Sequence, residues 1–76
     1  MGIPPQSVEP GKCYLVEGGR IWRVTIVLPE GEVRYVSREA ITIRKFGGVE
    51  GALSLDAFAS QAQREVPCHW TPEGDR

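Results

Sequence analysis

Three groups of side chains in this sequence could do chemistry: two cysteines with one histidine, a set of arginines, and a tyrosine close to them. Cys13, Cys68 and His69 are the only soft metal ligands and the only candidates for a thiol or imidazole catalyst. Zinc sites take four ligands, usually paired as C-x2–4-C or H-x3–5-H. Cys68 and His69 are adjacent and Cys13 is far upstream, so the spacing predicts no metal site. Nucleophilic catalysis needs a nucleophile, a base and an orienting group in contact. A single histidine in the tail CHWTPEGDR does not make such a set, and Asp56 and Glu65 are too far apart to be a local carboxylate pair. The stretch GGVEG lacks both the GK[ST] of a phosphate loop and a dinucleotide glycine spacing, and is expected to be a connector. The chain is expected not to be an enzyme and to hold no cofactor.

The arginines point elsewhere. RIWRVTIVLPEGEVRYVSR, residues 20–38, alternates apolar and polar side chains around a turn signal, the pattern of two β-strands. Trp22, Val24, Ile26 and Leu28 share one side of the first strand, and Val33 and Tyr35 share one side of the second. Gly18-Gly19 is expected to be a two-residue turn into KCYLVE, which pairs Glu17 with Arg20, Leu15 with Trp22 and Cys13 with Val24. A turn at Pro29–Glu32 pairs Leu28 with Val33 and Ile26 with Tyr35. Both hairpins then place their apolar residues on one side: Cys13, Leu15, Trp22, Val24, Ile26, Leu28, Val33 and Tyr35. Cys13 is accordingly expected to be a small buried hydrophobe.

The opposite face holds Tyr14, Val16, Ile21, Arg23, Thr25, Val27, Arg34, Val36 and Arg38 in this register. Arg23 is expected opposite Arg38, a like-charge pair, with Tyr14 beside it for stacking. Tyr14, Arg23, Arg34, Val36 and Arg38 are the candidate partner-binding residues. Three explanations fit such a face. The tail or the fourth strand covers part of it, leaving the arginines as solubilising groups. A protein partner or a second copy docks on its aliphatics. Alternatively, phosphates meet the arginines while a base stacks on Tyr14. Between the two partner readings, a protein partner or homodimer is the expected one and nucleic acid the alternative, because the overall charge is −1.

The elements around these residues are few. A chain of 76 residues is one small domain with a single core. Residues 1–11 hold three prolines and two glycines and are expected to be a flexible lead-in; 12–70 form the domain and 71–76 a tail. AITIRKF is expected to be the fourth strand. A helix is predicted over about 54–66, with Ser54 as cap, Leu55, Phe58, Ala59, Ala62 and Val66 on one face, and Pro67 as its stop. Trp70 is expected to fold back over the barrel or the helix end, with a partner-binding aromatic as the alternative. The fold class is α+β, mostly β: a four-stranded antiparallel meander curling into a small, partly open SH3-like barrel with one C-terminal helix packed on it.

Charge is divided along the chain. Residues 12–45 carry seven basic residues against four acidic ones, and residues 46–76 carry two against five, so the strand-rich half is the one suited to an anionic partner. No apolar run approaches the ~18 residues that a membrane span needs, so no membrane partner is expected. MGIPPQSVEPGK has neither a basic n-region nor an apolar h-region. A cytoplasmic location with two free thiols is the resulting expectation.

Overall fold

The computed structural model of the chain describes residues 2–41, 46–47 and 50–72. Five strands and one helix follow in the order β1 (Cys13–Val16), β2 (Arg20–Val27), β3 (Glu32–Glu39), β4 (Gly51–Ser54), α1 (Leu55–Gln61) and β5 (Ala62–Val66). The strands form one antiparallel sheet in the order β4-β3-β2-β1-β5, and the sheet is not closed. No described helix is long and apolar enough to cross a membrane.

The first hairpin turns through three residues, Glu17-Gly18-Gly19, where two were expected. Both glycines take positive φ, 91° and 72°, a conformation open to residues without a Cβ. The register becomes Val16 with Arg20, Leu15 with Ile21, Tyr14 with Trp22 and Cys13 with Arg23. A one-residue slip turns every side chain of a strand over. Tyr14 and Val16 therefore enter the main core, while Cys13 and Leu15 face the other way.

The second correction lies in β2. Val24 pairs with Tyr35 but Ile26 pairs with Arg34, so Thr25 is the extra residue of a bulge. Beyond it the alternation inverts. Val27, expected outside, packs against the main core, and Ile26, expected inside, is 44% exposed on the opposite face.

The fourth strand was expected at 40–46, but residues 42–45 lie outside the described part of the chain. The strand that pairs with β3 is β4, in register Val33 with Leu53 and Tyr35 with Gly51. The helix is shorter than expected. Ser54 caps it as read, its side chain accepting from the Ala57 amide at 3.2 Å, and Asp56 lies in the first turn. After Gln61 the chain becomes extended, because the free edge of β1 offers strand partners to Ala62, Arg64, Glu65 and Val66. A bulge between Leu15 and Val16 then sends Ala62 to one face of the sheet and Val66 to the other. The apolar spacing of 55–66 thus served a helix followed by a strand.

The main core lies between the sheet and α1. Phe58, fully buried, meets Tyr14 edge-on at 5.6 Å, Trp22 at 5.4 Å and Tyr35 at 5.6 Å, and Trp22 stacks on Tyr35 at 4.2 Å. Burying one such ring contributes about 2–3 kcal/mol. The segment expected to be a flexible lead-in is packed here as well: Ile3 donates its amide to the Ala59 carbonyl at 2.9 Å, and Val8 is buried.

A second apolar cluster occupies the opposite face at the β5-β1-β2 side: Cys13, Ile21, Ala40 and Val66, with Leu15, Phe46, Cys68 and Trp70 against them. Segment 67–72 runs back over this cluster, so Trp70 folds onto the sheet as expected. Cys13 and Cys68 are joined by a disulfide, with Cα atoms 5.1 Å apart. The expectation of two free thiols is overturned, for Val66 pairs with Cys13 and brings Cys68 within bonding reach.

Candidate functional site

The face of the sheet away from α1 is divided by the disulfide-bound strap 67–72. On the β1 side it is covered. On the β2-β3-β4 side no described segment covers it, and there Arg23, Thr25, Ile26, Arg34, Ala52 and Glu50 are exposed, with Val36 half-buried among them.

The five candidate residues do not share one surface. Tyr14 is 0% exposed, on the helix-covered face. Its hydroxyl donates to the Ser7 carbonyl at 2.7 Å and accepts from the Glu9 amide at 3.0 Å, tying the N-terminal segment to β1. Burial raises its pKa above the ordinary value. The three-residue turn is the reason that Tyr14 cannot stand beside Arg23.

Arg38 keeps the expected face but not the expected exposure, at 5%. It is paired with Ile21, not with Arg23, and the strap lies over it. Its guanidinium donates to the carbonyls of Glu39 at 2.9 Å, Cys68 at 2.8 Å and Trp70 at 2.8 Å, and stands over the Phe46 ring at 5.4 Å. Arginine suits this place because its planar fork can serve several carbonyls at once and its charge survives burial. Burial lowers its pKa from the usual arginine value. Arg38 thereby clamps the strap onto β3.

Arg23, Arg34 and Val36 remain together on the open side. Arg23 faces Val36 across the ladder, and Arg34 lies two residues along β3 on the same side. Arg34 donates through Nε to Glu32 Oε2 at 2.9 Å, which raises its pKa, and its Nη1 is 4.0 Å from Glu50 Oε1. Thr25 Oγ1 lies 2.7 Å from Glu50 Oε2 and 3.1 Å from the Arg34 carbonyl, so its one proton serves either acceptor. Arg23 has no described carboxylate within ion-pair distance. Two arginines and two glutamates therefore cancel across a surface that also exposes Ile26.

Sequence reasoning missed Glu50 altogether, since it stands in a glycine-rich connector, and missed the disulfide and the clamp. The two cysteines carried a signal in their even number, but only the fold could bring them together. A shallow open depression lined by Gly18, Gly19, Arg20, Glu39 and Ile41 lies at the β1–β2 turn. Among the described residues no three His, Cys, Asp or Glu side chains gather into a metal-binding group. Comparison with family models, with curated proteins and with solved structures finds no match for this chain.

Proposed function

We propose that this chain is a small non-enzymatic interaction module, and that its partner surface is the open sheet face around Arg23, Arg34 and Val36. The observation that carries this reading is the exposed Ile26 beside half-buried Val36, on a strand face framed by Arg23 and Arg34. Aliphatic side chains framed by arginine are the composition of a protein-binding patch. The partner is a protein, or a second copy of the chain.

Nucleic acid on the same face is the weaker reading. Burial of Tyr14 takes away the stacking platform, burial of Arg38 takes away one cation, and Glu32 and Glu50 offset the other two. Nucleic acid draws most of its affinity from several cations meeting successive phosphates, and this surface offers two. The non-enzymatic part rests on the disulfide, which takes both thiols out of nucleophilic use. The disulfide also favours an oxidising compartment over the cytoplasm expected from the sequence. We read the architecture as a partly open relative of SH3-like barrels in strand order alone, an analogy that carries no function.

The test uses the tagged full chain as bait and in sedimentation, beside Val36→Asp, Arg23→Glu and a control at exposed Gln63 on the far edge strand. Self-association or partner capture is expected with the wild type and the Gln63→Ala control, and is lost in the other two. Binding undiminished in both folded face variants refutes the assignment.

A further inference from the structure

The open face already holds an anion, the carboxylate of its own Glu50. That carboxylate comes from the chain just before β4, reaches Thr25 on β2 at 2.7 Å, and lies 4.0 Å from the Arg34 guanidinium between them. Glu50 thus extends across β3, over the strand that carries Arg34 and Val36. No described residue buries this arrangement. The side chains of Arg34 and Glu50 keep 48% and 42% of their surface in water, and ion pairs in that setting contribute little. The contact is one that a competitor can replace.

From this we infer that Glu50 is a built-in stand-in for a carboxylate of the partner, so that the partner is a protein bearing an exposed acidic segment. This deepens the interaction-module reading and rests on it. A donor set of one hydroxyl and one guanidinium, with Arg23, which meets no described carboxylate, two residues from Thr25 on β2, fits a single carboxylate with a second acidic group alongside. Ile26 and Val36 supply apolar contact for the rest of the segment. The same geometry selects against a nucleic-acid strand. Phosphates spaced along a backbone need several cations in a row, whereas this face exposes two arginines and carries Glu32 beside one of them.

Competition gives the inference a measurable sign. Receptor that is self-filled does not bind, so the apparent dissociation constant is the intrinsic one divided by the unfilled fraction. Removing the tethered competitor must tighten binding, although it also removes a side chain from the surface.

The experiment is a two-dimensional NMR titration of the labelled full chain, oxidised and at low salt, with hexaglutamate and in parallel with a short oligo-dT. Wild type, Glu50→Ala, and Glu50→Ala combined with Arg34→Ala are compared. Hexaglutamate is expected to move the amides of Arg23, Thr25, Arg34 and Val36 in Glu50→Ala at roughly two- to sixfold lower concentration than in the wild type, as follows if about a sixth to two-fifths of the wild type is unfilled. The gain disappears in the double variant. Equal affinity of wild type and Glu50→Ala overturns the inference, as does a stronger response to oligo-dT than to hexaglutamate. Loss of partner capture in Val36→Asp without any gain in Glu50→Ala would refute the stand-in and leave the module reading intact. Capture unchanged in Val36→Asp would refute the module reading itself.

Discussion

Breaking the Cys13–Cys68 bond removes the one covalent tie between β1 and the strap. The two residues are 55 apart in sequence. For a loop of that length the chain-entropy treatment gives about 14 cal/mol/K, or about 4 kcal/mol at 25 °C. A 76-residue domain melts with an entropy of about 160 cal/mol/K, so the loss corresponds to a fall in Tm of about 25 °C. Net stabilities of domains this small are roughly 3–5 kcal/mol. The tie is therefore comparable to the whole margin of folding. The assay is urea unfolding of the oxidised chain, the chain held in a phosphine reductant, and a Cys13→Ala/Cys68→Ser variant. The last two are expected to agree with each other and to lie about 4 kcal/mol below the first. Reduction is also expected to be slow in the folded state and fast in denaturant. Cys68 is the more accessible sulfur, and attack there expels the Cys13 thiolate into an apolar cluster where Cys13 is 1% exposed. Unfolding midpoints that coincide for oxidised and reduced chains, with two thiols titrating in the latter, would refute the reasoning.

Two further predictions concern the side chains that the fold took off the open face. Arg38→Ala leaves the carbonyls of Cys68 and Trp70 without their donor and is expected to cost about 2–4 kcal/mol, with a shift of the Trp70 indole resonance reporting the strap; a cost below about 1 kcal/mol would deny Arg38 the role of clamp. Tyr14→Phe removes bonds to Ser7 and Glu9 and is expected to cost about 1–2 kcal/mol, with faster amide exchange at Glu9. Because burial raises the Tyr14 pKa above 10.0, the folded chain holds that proton more tightly than the unfolded one. The associated stability is complete below the unfolded value and declines as pH rises above 10 toward the folded value. Denaturation series from pH 8 to 11 should show a steeper alkaline decline in the wild type than in Tyr14→Phe, and parallel curves would contradict it.

The legible parts of this fold were those set by neighbours in sequence. Trp22 and Val24 on one side of β2, Val33 and Tyr35 on one side of β3, and the Ser54 cap were all readable from period and residue type. So were the two glycine turns as places, though not as geometries. The candidate site was legible in part for the same reason. Arg23, Arg34 and Val36 lie on strands whose pairing partner was correctly named, so they stayed together. Tyr14 left them because its strand is joined through a turn whose length Gly18-Gly19 does not specify, and one residue there inverts the strand.

By itself the sequence determined the antiparallel hairpins, the start of the helix and the division into a basic and an acidic half. These follow from dihedral preferences and from side-chain period, which act over a few residues. The tertiary structure alone decided the register, the bulges at Thr25 and between Leu15 and Val16, the end of the helix at Gln61, and the disulfide. Each of these chooses between local conformations of nearly equal energy, and the choice falls to whichever buries more. Tyr14 against Phe58, the edge of β1 against 62–66, and the strap against Ile21 and Arg38 settled them. That burial also determined which arginines meet solvent.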